Sequence, residues 1–274
     1  MSIVGAEWLA GRLDGRNVRV LDVRWYLIDH DLGRREYAEG HIPGAVFMDL
    51  EDDLSDLSIE REGRHPIPEP SVLRERFERA GIGTDTTVVT YDNGPSAIAA
   101  RAWWLLRSLG HPDAHVLDGG MQAWKDGGYP LSDAVPSHPT ATFETEVTEW
   151  DTVGLTDVAA RGDTVLLDAR APERFRGEVE PADPVAGHIP GAVNLPTTEL
   201  VGPDQRLLAP EELRRRFARA GAHPGETTYA SCGSGVTACH LVLAASVAGL
   251  PEPRLYAGSY SQWVREGMPV ETGT

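Results

Sequence analysis

The sequence predicts an α/β protein made of two tandem domains, each a mainly parallel sheet with helices on both faces. Three observations carry this reading. The heptapeptide GHIPGAV occurs at 40–46 and again, unchanged, at 187–193. Other pairs keep the same order around it: VRVLDVR (18–24) with TVLLDAR (164–170), LRERFERAG (73–81) with LRRRFARAG (213–221), and LDGGMQAW (117–124) with YAGSYSQW (256–263). Within each half, short β-rich runs alternate with helical patterns, which implies parallel strands joined by helical crossovers. A period this long marks two domains rather than a solenoid. The expected boundaries are 1–130 for the first domain, 131–149 for a linker and 150–274 for the second.

In the first half, β-rich runs predict strands over 18–23, 45–47, 86–91 and 114–117. Apolar periodicity predicts helices over 72–80, 97–109 and 121–125. The stretch 52–70 is polar, holds three prolines and reads as a long loop. Residues 129–150, with three prolines and many Ser and Thr, read as an extended linker. The second half repeats this plan up to a strand near 227–231 and a helix over 237–248, joined by a turn punctuated with glycine.

Composition narrows the functional classes. The chain has 274 residues, 41% hydrophobic and 24% charged, as in a globular protein. Its net charge of −17 argues against nucleic acid and anionic membranes as partners, because both recruit basic surface. No apolar run approaches the roughly 18 residues of a membrane span. The N-terminal stretch lacks the basic and apolar regions of a signal peptide, so a cytoplasmic location is expected. Two cysteines, Cys232 and Cys239, offer neither a disulfide framework nor a metal quartet. No metal and no cofactor are expected. Lys125 is the only lysine, so the remaining basic side chains are arginines, which suit forked recognition of carboxylate or sulfonate oxygens.

The turn after the second-half strand reads Ser231-Cys232-Gly233-Ser234-Gly235-Val236-Thr237-Ala238. Gly233 and Gly235 permit positive φ, so successive backbone N–H groups can converge where the sulfur lies. Converging N–H groups and a helix N-terminus both favour an anion there. Cys232 is therefore the candidate nucleophile, with Gly233, Gly235, Val236 and Thr237 around the sulfur and the Ser234 hydroxyl facing the cavity. Cys239, further along an apolar helix, reads as core. The duplication puts Asp92 opposite Cys232, with Asn93, Gly94 and Pro95 opposite Gly233, Ser234 and Gly235. A carboxylate lacks the nucleophilic sulfur of a thiol, and proline removes a loop donor. The first domain is thus expected to be catalytically inactive.

At CGSGVTA the sequence resembles the active-site loop of the 3-mercaptopyruvate sulfurtransferases, two-domain relatives of rhodanese, and the duplicated motifs spread the resemblance over nearly the whole chain. The resemblance implies an inert first domain, an active second one, and sulfur transfer through a Cys232 persulfide. The partners it implies are a small anionic sulfur donor and an acceptor such as cyanide, a thiol or a thioredoxin-like protein. It also implies a proton relay from Ser234 to a histidine and an aspartate. His41, by its HIPGA context, is the candidate histidine, and Asp31 or Asp29 the aspartate. His188, in the other turn, is expected to be structural. Arg174, in DARAPERFRG, matches an arginine that holds the donor carboxylate. A second arginine common before the GHIPG turn is absent from EVEPADPVAGHIPG, which leaves Arg101, Arg176 or another residue to supply it.

Three other classes compete. Phosphatases with this fold require Cys-x5-Arg, and position 238 is Ala238. A non-catalytic binding module conflicts with the intact Cys232 loop. A thiosulfate sulfurtransferase is the alternative nearest in chemistry, but rhodanese loops carry basic residues where this chain has Gly233 and Ser234.

Overall fold

A computed structural model describes residues 2–13, 15 and 17–273. The chain forms two compact units, each with its own parallel sheet. The first comprises Met1–Ser55, Pro68–Trp150 and Pro203–Leu207. The second comprises Asp56–Ile67, Asp151–Gly202 and Leu208–Thr274. Each unit thus borrows a short segment from the other half of the sequence.

In the first unit the strands are β1 (Ile3–Val4), β2 (Val18–Asp22), β3 (Ala45–Phe47), β4 (Thr87–Tyr91) and β5 (Ala114–Leu117). Their order is β1-β5-β4-β2-β3, every pairing parallel. The helices are α1 (Ala6–Ala10), α2 (Leu32–Glu39), α3 (Pro70–Arg79), α4 (Ala99–Ser108) and α5 (Gly120–Asp126). The expected strands and helices of this half match to within two residues. Pro70 opens α3 because a missing N–H costs nothing at the first helical turn. Leu73 and Phe77, four apart, bury its inner face.

The second unit contains β6 (Leu166–Asp168), β7 (Val193–Asn194), β8 (Tyr229–Ser231) and β9 (Arg254–Leu255), in the order β7-β6-β8-β9 and again parallel. A parallel bridge from Val153 to Tyr256 takes the place that the β1–β5 pairing holds in the first unit. Its helices are α6 (Leu155–Ala159), α7 (Pro172–Phe175), α8 (Pro210–Arg219), α9 (Ala238–Ala248) and α10 (Ser259–Arg265). Helix α9 is apolar all round, and nine of its residues, Ala238 to Ala245 and Ala248, are buried. Among the described residues no helix is long and apolar enough to cross a membrane.

The stretch expected as a linker is extended, as its prolines dictate, yet it is a strap bonded to the first unit. Phe143 is buried, its N–H donates to Glu78 Oε1 at 2.9 Å, and the Trp150 indole donates to the Pro68 carbonyl at 2.9 Å. Phe143 gives the strap an apolar anchor to bury, while Leu131 and Val135 stay exposed.

One buried ion pair recurs in both units. Asp22, at the end of β2, accepts Arg24 Nη2 at 2.6 Å, and the same nitrogen donates to the Gly40 carbonyl at 3.0 Å. Asp168, at the end of β6, accepts Arg170 Nη2 at 2.8 Å, and that nitrogen donates to the Gly187 carbonyl at 2.8 Å. The pair ties the strand end to the GHIPG turn in each copy. Burial alone would weaken the Arg170 charge, but Asp168 and Glu180 outweigh it and hold the guanidinium pKa above its usual value.

Removing one member of such a pair strands a buried charge. Arg24→Ala is expected to lower unfolding free energy by about 3–5 kcal/mol, while Arg12→Ala, in the exposed turn after α1, changes it little. Urea denaturation of both variants checks this; equal midpoints would contradict it.

Candidate active site

Cys232 follows β8, the strand between β6 and β9, at its carboxyl end, where open α/β sheets place their ligands. It is a free cysteine, buried to 1% exposure. The loop between β8 and α9 is pinned from outside by the start of α10. Tyr260 N donates to the Cys232 carbonyl at 3.0 Å and Ser261 N to the Gly233 carbonyl at 2.9 Å. The Cys232 amide donates to Ser259 Oγ at 3.0 Å. Ser259 holds an unusual φ of 49°, over-determined by a second bond from its hydroxyl to the Tyr256 carbonyl.

The two loop glycines serve different ends. Gly235 has φ of 76°, and a Cβ there would lie 2.2 Å from the Ala257 carbonyl oxygen. Gly233 is not in the left-handed region; its lack of a side chain makes room for guanidinium groups. A Cβ on it would lie 2.9 Å from Arg64 Nη2 and 3.4 Å from Arg174 Nη2. Thr237 precedes the first residue of α9 without a side-chain capping bond, Val236 is buried, and Cys239 is core, its sulfur on the Gly235 carbonyl at 3.4 Å.

The corresponding loop of the first unit shows what this turn can hold. The Asp92 carboxylate accepts the amides of Gly94, Ser96, Ile98 and Ala99 at 2.9–3.1 Å. Burial pushes its carboxyl pKa up, and these amides pull against that. This loop is one residue longer than its counterpart, so the left-handed residue is Ser96 (φ 63°), opposite Gly235. The register therefore differs from the sequence alignment, which set Pro95 there. In the corrected register the amides of Ser234, Gly235, Thr237 and Ala238 take the places of the four that bind Asp92.

The histidine on Ser234 is His65. Its Nδ1 lies 2.8 Å from Ser234 Oγ, and both side chains are buried. His65 belongs to the Asp56–Ile67 segment, which α10 fastens: Arg64 N donates to Ser261 Oγ at 3.1 Å and Gln262 Nε2 to the Arg61 carbonyl at 2.9 Å. Within the segment, Asp56 N donates to the Pro66 carbonyl at 3.0 Å. His41, expected at this position, has other partners. Its ring stacks on Tyr37 with centroids 3.9 Å apart, and its Nδ1 meets the Tyr37 carbonyl at 2.8 Å. Its Nε2 meets the Ala134 carbonyl at 3.2 Å. His188 repeats this arrangement on Phe175, at 3.8 Å between centroids and 2.7 Å to the carbonyl. Both turn histidines are bonded the same way, so the shared HIPGA context marks a structural role. Asp31 is exposed at the start of α2, and Asp29 pairs with Arg35 at 2.5 Å.

Arg174 is beside the loop, as expected. Its Nη2 bonds Glu180 Oε1 at 2.6 Å and lies 3.7 Å from Asp183 Oδ2. The second cation there is Arg64, hydrogen-bonded through Nη1 to Asp183 Oδ1. The candidates Arg101 and Arg176 sit elsewhere: Arg101 is fully buried in α4, and Arg176 pairs with Glu178 at the surface. Sequence reasoning missed Arg64 and His65. The available signal was length, since the stretch between the GHIPGAV turn and the LRxRF helix is longer in the first copy than in the second.

A model of the rhodanese-like domain matches residues 5–127 and 155–266. The chain belongs to the rhodanese family. It is 47% identical over 279 residues to a protein of Pseudomonas aeruginosa named as a probable 3-mercaptopyruvate sulfurtransferase, covering 99% of this chain and 98% of that one. It is 40% identical to a Mycobacterium tuberculosis relative, SseB, that carries a provisional thiosulfate sulfurtransferase name, covering 99% of this chain and 97% of that one. Among solved structures it resembles the 3-mercaptopyruvate enzyme SseA of Escherichia coli, at 34% identity and a TM-score of 0.83, covering 95% of this chain and 100% of that one. This rhodanese-family protein is an enzyme of the sulfurtransferase class.

The two glycines separate by substitution. Gly235→Ala is expected to cost at least about 1 kcal/mol, because a side chain there meets rigid backbone at positive φ. Gly233→Ala displaces only the ends of two arginines and is expected to unfold near the wild-type temperature. Thermal unfolding of both reads the difference, and equal transitions would contradict the packing described.

Proposed function

We propose that this protein moves a sulfane sulfur from 3-mercaptopyruvate to a thiophilic acceptor through a persulfide on Cys232. The observation that carries the donor assignment is the Ser234–His65 hydrogen bond. Cleaving the carbon–sulfur bond of mercaptopyruvate leaves an enolate, which needs a proton. Cleaving thiosulfate releases sulfite, which needs none. A buried hydroxyl–imidazole pair two residues from the nucleophile supplies a proton path that only the first reaction uses.

The Cys232 thiolate attacks the donor sulfur, a sulfur–sulfur bond forms, and the carbon–sulfur bond breaks with its electron pair on carbon. The proton carried by the donor sulfur reaches that carbon through Ser234 and His65, giving pyruvate and a Cys232 persulfide anion. The loop amides are suited to this larger anion, as the Asp92 carboxylate on the corresponding amides supports. Arg174 holds the donor carboxylate. The acceptor, whether cyanide, a small thiol or a thioredoxin-like protein, then attacks the outer sulfur and releases the Cys232 thiolate, so kinetics are ping-pong. Two buried free cysteines fit a reducing compartment such as the cytoplasm.

Cys232→Ser is expected to abolish transfer, and Cys239→Ser to retain most of it. Intact-mass measurement should show one added sulfur after mercaptopyruvate treatment, lost on adding cyanide. With one shared acceptor, catalytic efficiency should be higher for mercaptopyruvate than for thiosulfate; the reverse order would make thiosulfate the donor.

The two histidines give a second test. His65→Ala is expected to lower kcat with mercaptopyruvate by about 100-fold or more while the thermal transition moves little. His41→Ala is expected to act chiefly on stability. If His65→Ala slowed thiosulfate turnover as much as mercaptopyruvate turnover, the proton role would be lost.

A further inference from the structure

We propose that Arg64 is the second anion-binding arm of this site, and that Asp183 sets the charge of the resulting clamp against dianionic donors. The proposal deepens the donor reading above and rests on it for the position of the substrate carboxylate. Two guanidinium groups, Arg64 and Arg174, converge on the open side of Gly233, next to the nucleophile. Each has an Nε that is buried and lacks a hydrogen-bond partner among the described residues. Buried guanidinium donors without acceptors are costly, and a ligand carboxylate satisfies two in one bidentate contact.

Two buried carboxylates balance the pair. Glu180 and Asp183 are each 3% exposed, against 22% for Arg64 and 17% for Arg174, so the arginines, not the carboxylates, face outward. Asp183 bonds Arg64 through Oδ1, while its buried Oδ2 has no hydrogen bond and lies 3.7 Å from Arg174. The cluster of Arg64, Arg174, Glu180 and Asp183 thus carries no net charge. One donor carboxylate adds a single negative charge to it. A dianion such as thiosulfate adds two beside a fixed carboxylate, in a place with little water to screen them. Selection against the dianion therefore comes from Asp183, and attraction of the monoanion from the two arginines.

The test uses the whole enzyme, with mercaptopyruvate and thiosulfate as donors and one thiol acceptor. Arg64→Ala is expected to raise the mercaptopyruvate KM by about 10- to 100-fold, with kcat within a few-fold of wild type. Arg64→Lys, a point charge without the fork, should recover part of that loss. Asp183→Asn should raise the ratio of thiosulfate to mercaptopyruvate efficiency at least about fivefold. Because Arg64→Ala leaves Asp183 buried without its partner, the double variant Arg64→Ala/Asp183→Asn is measured alongside, and it should keep the KM defect with a wild-type thermal transition. An unchanged mercaptopyruvate KM in folded Arg64→Ala would overturn the clamp, and an unchanged donor ratio in Asp183→Asn would overturn the filter. If wild-type Cys232 gains sulfur only from thiosulfate, the donor reading fails separately. The thiosulfate KM of Arg64→Ala then decides the clamp: a rise supports it and no change overturns it.

Discussion

The buried aspartate–arginine pair at the end of β2 and of β6 is the constraint on which both units depend. A strand that stops at a buried carboxylate must find a cation, and the arginine two residues on supplies it through its backbone N–H and its guanidinium. The same guanidinium reaches the carbonyl before the HIPG turn, so an ion pair holds the turn alongside the core packing of Ile42 and Ile189. In the second unit the consequences spread further. Arg170 also lies over the Tyr260 ring, 4.0 Å from its centroid, and Tyr260 N holds the Cys232 carbonyl. Burial pushes the Tyr260 phenol up to about 12, so it remains a donor, bonded to the Val185 carbonyl. The chain of contacts from Asp168 through Arg170 and Tyr260 to Cys232 ties the position of that thiol to one charge pair.

The two copies of the strand-to-helix loop are two solutions to the same electrostatic problem. A turn that aims several N–H groups inward must be given an anion or left with unsatisfied donors. The first unit builds the anion into the chain as Asp92. The second places the Cys232 thiol there. The same backbone design holds a carboxylate in one copy and a thiol in the other.

Much of this was legible from local pattern. The repeats, the parallel sheets and the Cys232 loop are encoded over a few residues each, by strand runs, helix periodicity and glycine spacing. Gly235 was readable because positive φ and close approach leave a glycine in the sequence. His65 and Arg64 were not, because nothing local marks them. They lie in a polar, proline-bearing loop of the first half, and only the tertiary fold attaches that loop to the second unit. His41 misled for the converse reason. Its motif is conspicuous, yet the motif reports a stacked, backbone-bonded turn histidine that occurs twice. Arg174 was found by its neighbours in sequence, whereas the cation that joins it comes from far along the chain.

The loan of residues 56–67 to the second unit has a consequence for biosynthesis. His65 and Ser234 are separated by 169 positions. At 5–20 residues per second, the ribosome makes them roughly 8–35 s apart. Throughout that interval the histidine exists and the thiol loop does not. The Ser234–His65 contact therefore forms late, after α10 has been made and can grip the waiting segment.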